Sequence, residues 1–583
     1  MSPALSKTGE GGMELRGIGA SDGIGIGAVV CVRTQDLDYS HVPYQGASRE
    51  KARLRQATAE FTARIQAMVE QVTARVGEKE SEILSGQITM LTDPYMIAQM
   101  EEAIDGGSCA EGAVDAVCRM FMEVFSCADD ELMRQRAADV GDIRTRMLSI
   151  LLRVQQADLA ALPDGTVLAA HDLTPSMTVG LDRSHVAAIL TETGGRTSHC
   201  AILARALEVP AVLSVPGVLD TVRDGMPAIV DGGTGLVILN PPPAQLEEYR
   251  ARQAAWLRER ELLQRYRDRA TLTADGQQVS LYANIGSVSD ARAAVQAGAE
   301  GIGLFRTEFL FMDRSAPPGE EEQYETYRQV ARLMAGREVI IRTLDVGGDK
   351  GISYLDMGQE ENPFLGHRAI RYCLDHPDLF KTQLRALLRA GAEDGNLKIM
   401  LPLITGVEEV RAARALLEEC RTELQAEGKA CAGHIPLGVM IETPASALIA
   451  DLLARESDFF SIGTNDLTQY TVAVDRGNAR VAGLYTTFHP AVLRSIRQVI
   501  AAGRAAGIPV GMCGESAADP ALIPLLLAFG LDEFSVSPAS VLSTRKHIAG
   551  WTRQGAEQAA RDAMSLPTAA QVEACLRTTT QGH

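Results

Sequence analysis

No two cysteines in this sequence stand in a CxxC arrangement, although ten cysteines are scattered along it. The spacing that many zinc sites use is therefore missing, and a reduced compartment is the expectation. No stretch is apolar for long enough to span a bilayer, and the N-terminus lacks the apolar core of a secretion signal, so a cytoplasmic location is expected. Basic residues are in the minority. Fifty-six lysines and arginines face 75 aspartates and glutamates, a formal charge of −19 with both signs mixed along the chain. That balance argues against DNA, RNA or an anionic membrane as the main partner, while leaving room for a local basic pocket. No P-loop-like segment is present either.

What is present is long and regular. A chain of 583 residues exceeds one core, so two to four domains are expected. Residues 13–32, with "GIGIGAVVCV", read as strand. Leu54, Phe61, Ile65, Met68, Val72 and Val76 then recur at helical spacing, and further helical runs cover 80–104, 110–127 and 130–155. Four successive helices predict a bundle over 33–154. Short apolar strands resume near 163 in "GTVLAAHDL", "VAAILTE", "PAVLSV" and "GMPAIVDG". Strand-like sequence on both sides makes the bundle an insertion into one α/β domain, 13–32 plus 155–242. Residues 243–270 are highly charged with almost no apolar stripe, which predicts a solvated linker helix and a hinge.

From residue 271 to 575 the rhythm is strand then helix, eight times: "VSLYANI", "GIGLF", "EVIIRTL", "KIMLPL", "PLGVMIE", "FFSIG", "IPVGMC" and "DEFSVS". Eight such units fit a TIM (β/α)8 barrel, whose chemistry sits where strands end. Those ends carry Arg306, Thr307 and Glu308, then Arg342, Asp345 and Lys350, then Glu442, then Asn465 and Asp466, then Cys513, Gly514 and Glu515. Arg368 and Arg476 lie in intervening loops. Any one of these arginines is most simply a salt bridge. Several at strand ends point to an oxyanion clamp, because guanidinium forks match phosphate and carboxylate. Glu442 with Asp466 suggests magnesium, which takes few carboxylates and fills its shell with water and phosphate. A small substrate bearing phosphate and carboxylate follows. In "TGGRTSHCAILAR", Thr193 to Arg205, His199 sits at a loop-to-helix junction, where a metal ligand, a base, a nucleophile or a bystander would each fit.

"GGRTSHCAILAR", "GLFRTEFLF", "RTLDVGGDK", "NPFLGHRAIR", "SIGTNDLTQY" and "GMCGE", in that order over nearly the whole chain, closely resemble the phosphoenolpyruvate-protein phosphotransferase family, the enzymes I of bacterial sugar phosphotransferase systems. "DPYM" and "QRAADVGDI" resemble that family's HPr-binding helical domain. The resemblance implies that His199 takes the phosphoryl group of phosphoenolpyruvate on Nε2 and passes it to HPr, releasing pyruvate, in the first step of sugar uptake. It implies that Thr178, in "LTPSMT", orients the ring. It assigns Arg306, Arg342 and Arg476 to the substrate's phosphate and carboxylate, with Asn465 beside them and Arg368 in support. Glu442 and Asp466 hold magnesium, with Asp466 also beside the substrate, and Cys513 protonates the enolate. The family's homodimer forms through the barrel. Cys200 stands where relatives carry threonine or another small residue, and no role for it follows. Pyruvate phosphate dikinase and phosphoenolpyruvate synthase share these motifs but need a nucleotide-binding domain for which this chain has no room. A non-enzymatic phospho-sensor would be expected to have lost one of these residues.

Overall fold

Nine strands form the sheet of the N-terminal region: β1 (Ser6–Lys7), β2 (Met13–Arg16), β3 (Ile18–Ser21), β4 (Ile24–Val32), β5 (Thr166–Ala170), β6 (Val186–Thr191), β7 (Ala211–Leu213), β8 (Pro227–Asp231) and β9 (Leu236–Leu239). Their order is β1-β2-β9-β8-β4-β5-β6-β7-β3. The alternating glycines of β4 are a steric requirement. A Cβ on Gly25 would stand 2.2 Å from the Ala187 carbonyl oxygen, and one on Gly27 1.8 Å from that of Gly165. The computed structural model describes residues 6–7, 12–32, 37–75, 78–126, 131–154, 162–173, 177, 184–195, 198–312, 314, 316–347, 352, 354–355, 357–358, 360–478 and 480–580, with backbone alone at 70–75, 78–84, 131–135, 138, 199, 202 and 206. The chain divides into two units, Met1–Glu259 and Arg260–His583.

β4 and β5 are parallel neighbours, from Ala28 beside Thr166 to Val32 beside Ala170, yet more than a hundred residues separate them in the chain. The excursion is helical: α1 (Ala47–Arg75), α2 (Glu78–Leu91), α3 (Pro94–Asp105), α4 (Ala110–Ser126) and α5 (Glu131–Leu152). The periodicity predicts one helix over 80–104, but the chain breaks it in two. Asp93 caps α3 by accepting from Tyr95 N and Met96 N, and Pro94 occupies the first helical position, where its missing N–H costs nothing. Leu54, Phe61 and Ile65 enter the bundle core as their spacing predicts, with Met100, Ile104, Ile143 and Met147 from other helices. Met68 packs at its edge, while the side chains of Val72 and Val76 lie outside the described residues.

The charged segment after the sheet departs from its sequence reading. Its helix ends at Gln264, short of the 270 expected. Its first half is not a bare solvated rod. Tyr249 is buried with Ile229 and Ile238, with Leu246 packed beside them. Gln253 Nε2 donates to Ile24 O at 2.7 Å, and Arg252 pairs with Asp231 at 3.1 Å. One aromatic and one leucine suffice for this contact, too few to register as a stripe. Beyond the helix, Arg545 donates to Tyr266 O, Arg267 O and Gly298 O, which fastens the end of the segment to the second unit.

The second unit is a closed parallel barrel of β10 (Ser280–Ile285), β11 (Ile302–Arg306), β12 (Val339–Arg342), β13 (Leu397–Leu401), β14 (Leu437–Ile441), β15 (Phe460–Ile462), β16 (Val510–Met512) and β17 (Glu533–Val536). All eight follow the predicted segments. Leu304, Ile340, Met400, Met440, Phe459 and Cys513 form one buried cluster, the packed interior expected of this fold. At the N-terminal ends of the strands, a cavity of about 70 Å³ is lined by Tyr282, Glu338, Lys398 and Glu533 among others. Glycines at 303 and 511 make room for the Glu533 carboxylate, since a Cβ at 303 would lie 2.1 Å from Oε1 and one at 511 2.9 Å from Oε2. Lys398 spends its charge on Glu338 at 2.6 Å, and Tyr282 donates to the same carboxylate at 2.9 Å.

Burial, then the neighbouring Glu338, pushes the Glu533 carboxyl up to about 8, against the opposing pull of Lys398. Between its ordinary value of 4.5 and 8 the folded chain keeps a proton that the unfolded chain has released. Stability therefore falls as pH rises through that window, by up to a few kcal/mol for a shift of this size. Glu533→Gln should remove this loss. Its melting temperature should gain on the parent's from pH about 5 to about 8 and hold a constant difference above, as read by scanning calorimetry. A parent-variant difference that does not change with pH would refute the assignment.

Candidate active site

The barrel's C-terminal mouth collects the polar strand ends. Arg306 and Arg342 close β11 and β12 and are direct neighbours across the ladder. Arg342 is buried. Its guanidinium pairs with Glu308 at 2.6 Å and Asp345 at 2.9 Å. Burial presses its pKa down, but Asp345, Glu308 and Glu442 more than reverse this and hold it above the ordinary arginine value. Arg368, also buried, meets Asp345 at 2.8 Å and Asp466 at 3.3 Å, and its Nη1 donates to Tyr470 OH at 3.3 Å. Burial opposes its charge too, and Asp345 and Asp466 again prevail. Arg306 has no ion pair among the described residues, which leaves a half-buried guanidinium for an incoming anion.

Glu442 follows β14 and accepts from Leu403 N at 2.6 Å. Asp466 lies in the first turn of helix Thr464–Val472, where a carboxylate favours the helix start. Arg476 reaches it at 3.2 Å, and Tyr485 OH donates to Asn465 O at 3.1 Å. The Asn465 side chain accepts from Glu515 N at 3.2 Å. Burial, followed by the charges of Asp466 and Asp345, pushes Glu442 up to about 8 despite Arg342 and Arg368. Ala369, Leu403 and Ala473 have φ of 54°, 56° and 54°. These left-handed conformations, costly for residues with a Cβ, cluster in the loops that carry Arg368, the Glu442 partner and the approach to Arg476.

Cys513 follows β16 and is buried beneath this array. Asn284 Nδ2 donates to its carbonyl at 2.9 Å, and Ser535 donates to Asn284 Oδ1 at 2.7 Å. Burial raises the thiol to about 11, although a hydrogen bond from Ser461, Arg342 and Arg306 act against it. It is thus a neutral thiol at neutral pH, suited to give a proton rather than to attack.

Arg306, Arg342, Arg368, Glu442, Asn465, Asp466 and Arg476, the barrel residues to which the sequence reading gives substrate or metal, meet at this mouth with Cys513. Sequence reasoning misses Tyr470, Tyr485 and Asn284, which hold site residues without carrying charge. It names Glu308 and Asp345 but not their work as counter-ions; Arg342 three residues before Asp345 is a signal for the second, while Glu308 pairs with the same arginine from 34 residues away and has no local one. Thr178 lies outside the described residues, as does Lys350. His199 opens helix His199–Ala206, capped by Ser198, whose Oγ accepts from Ala201 N at 3.3 Å, while the His199 side chain is outside the described residues. Cys200, beside it, packs in the sheet's core with Ala201 and Ala204, and burial raises its thiol to about 12. It is a packing residue and no redox sensor.

Arginines for an anion, acids for a hard cation and a neutral thiol at a barrel mouth suit a small phosphorylated acid. Three family models match the chain: the N-terminal domain of PEP-utilising enzymes over 16–136, their mobile domain over 162–235 and their PEP-binding domain over 260–553. The chain has the three domains of a phosphoenolpyruvate-utilising enzyme. Proteins named phosphoenolpyruvate-protein phosphotransferase are 42% identical over 560 residues in Staphylococcus carnosus, 44% over 566 in Geobacillus stearothermophilus and 41% over 567 in Bacillus subtilis. These alignments cover 96%, 97% and 97% of this chain and 98%, 98% and 99% of those proteins. The chain belongs to the phosphoenolpyruvate-protein phosphotransferase family.

Among the described residues no group of three or more histidine, cysteine or acidic side chains forms a ready cage for a metal. Glu442 and Asp466 nevertheless fit magnesium, which needs only one or two carboxylates beside water and phosphate. Burial and then neighbouring negative charge lift the Glu442 carboxyl, and a bound cation would favour its ionised form. Glu442→Gln and Asp466→Asn should each weaken magnesium binding in the presence of phosphoenolpyruvate by at least about tenfold, a loss typical even of outer-shell partners. Titration calorimetry reads this directly. Unchanged magnesium affinity in both variants would make the carboxylates purely structural.

Proposed function

We propose that this enzyme moves the phosphoryl group of phosphoenolpyruvate to His199 and then to the phosphocarrier HPr, releasing pyruvate, as the entry step of sugar uptake. The observation that carries the reading is the barrel mouth, where an unpaired arginine and a network of paired ones surround two buried carboxylates above a neutral thiol. Family membership supports the donor. The helical bundle is the proposed docking site for HPr, the barrel the proposed dimer contact, and the cytoplasm the proposed location. No helix among the described residues is long and apolar enough to cross a membrane.

Arg306, Arg342 and Arg476 take the phosphate and carboxylate, with Arg368 in support, Asp345 holding Arg342 and Arg368 in place, and Asn465 alongside. Glu442 and Asp466 would hold magnesium, which when bound would supply positive charge to offset that of the substrate's phosphate. His199 Nε2, kept in orientation by Thr178, attacks phosphorus; the P–N bond forms as the bridging P–O bond breaks and enolpyruvate leaves. Positioning and charge neutralisation do most of this work. The Cys513 thiol gives its proton to C3 of the enolate, which becomes pyruvate, and the thiolate regains a proton from solvent. HPr then attacks the phosphohistidine, restoring the free imidazole.

Two variants test the halves of this sequence. With labelled phosphoenolpyruvate and magnesium, the protein should gain one acid-labile, alkali-stable phosphoryl group, and His199→Ala should gain none while still binding phosphoenolpyruvate. Label persisting in that variant would sink the assignment. Cys513→Ala should bind phosphoenolpyruvate normally but slow the solvent exchange of pyruvate C3 protons by about 10²-fold or more, the range for loss of a general acid. Exchange at the parental rate would remove Cys513 from the chemistry.

A further inference from the structure

Gln383 lies on helix Pro377–Asp394, in the barrel's outer ring, and its side chain is buried. It reaches the ends of two strands at once. Leu344 N donates to its Oε1 at 2.9 Å. Its Nε2 donates to Thr307 Oγ1 at 3.2 Å and to Tyr327 OH at 3.1 Å. Thr307 follows Arg306, and Leu344 lies two residues after Arg342.

The orientation of this amide is fixed by its partners. A backbone N–H can only donate, so Oε1 must face Leu344 and the amide protons must face the two hydroxyls. Each hydroxyl then has one use left for its own proton. Thr307 gives its proton to Arg342 O at 2.8 Å, and Tyr327 gives its to Gln323 Oε1 at 3.0 Å. Gln323 Nε2 in turn donates to Pro318 O at 2.9 Å. Both amide protons of Gln383 and both hydroxyl protons thus have one address each, and Thr307, Gln323, Tyr327 and Gln383 are all buried.

Its placement matters because the β11–β12 ladder ends at Arg306 and Arg342. Past that pair the two chains are tied by side chains: Thr307 Oγ1 on Arg342 O, Glu308 on the Arg342 guanidinium, and Gln383, which holds Thr307 and Leu344 together. From this geometry we infer that Gln383 is a positioning residue for the phosphoenolpyruvate site, an amide clamp that sets the distance between the Arg306 and Arg342 strand ends without touching substrate. The inference rests on the reading of these arginines as ligands of the substrate's phosphate and carboxylate. Losing the clamp leaves Leu344 N–H and Thr307 Oγ1 without their buried partner, and the strand ends relax apart.

Gln383→Met keeps the length and shape of the side chain and removes its hydrogen bonds. Thr307→Val keeps the shape of Thr307 and removes its hydroxyl, which gives a second route should the first variant not fold. In each folded variant KM for phosphoenolpyruvate should rise about tenfold, the equilibrium equivalent of one lost buried hydrogen bond. The turnover number should change far less, since spacing acts on ground state and transition state alike. The double variant should be no worse than the worse single one, because both break one chain. A purely structural glutamine would lower melting temperature and leave KM alone. If Arg306→Ala raises KM while folded Gln383→Met and Thr307→Val stay within about twofold of the parent, the clamp is wrong and the arginine reading stands. If Arg306→Ala itself leaves KM unmoved, the arginine reading fails and the clamp with it.

Discussion

Arg342 and Arg368 are both buried because Asp345 lies between them, with one carboxylate oxygen 2.9 Å from the first and the other 2.8 Å from the second. A buried guanidinium without a counter-ion is costly, and removing one member of such a pair typically costs about 3–5 kcal/mol. One aspartate therefore fixes two arginines from different segments at one spot. It does so incompletely: two positive charges share it, so Glu308 completes the pairing of Arg342 and Asp466 that of Arg368. The mouth of the barrel is a chain of shared ions in which no member is placed independently.

The local excess in that chain changes sign across the mouth. Near Arg306 it is positive, and an anion is the natural complement. Near Glu442, burial and then the crowding of Asp466 and Asp345 push the carboxyl up to about 8, so a divalent cation is the natural complement there. A phosphorylated acid and magnesium brought together would satisfy both ends of one gradient. Cys513 lies at the buried floor of the same field. Burial dominates over the neighbouring arginines and keeps its proton on, which is the state a proton donor needs.

Much of this was legible in the sequence because a barrel places chemistry at strand ends. The eight apolar segments are each followed by room for a helix, so residues such as Arg306, Glu442 and Cys513 could be assigned to one mouth before any coordinate. Three kinds of feature were not legible. The break at Asp93–Pro94 was hidden by an apolar period that runs through it, although the capping pair is itself the signal. The apolar packing of the charged linker helix rests on Tyr249 and Leu246, with Arg252 and Gln253 adding polar contacts that leave no periodic trace in the sequence. Tyr470, Asn284 and Gln383 act through one hydrogen bond or a few, across 106, 251 and 76 residues at the widest, and no local pattern encodes such distances.

The histidine segment follows a different logic from the barrel. No shared ions hold it among the described residues. Instead the helix that His199 opens is fixed from behind, by Cys200, Ala201 and Ala204 in the sheet's core, and from in front by the Ser198 cap. The Cys200 thiol suits that depth, since an unbonded hydroxyl there would cost more than a thiol. Apolar anchoring has a consequence for a residue that is proposed to gain and lose a phosphoryl group. The helix start favours the anion through its N–H groups, while the core behind it carries no charge that the modification would unbalance. A site built from shared ions would have to rearrange at every turnover; a helix seated in an apolar core does not.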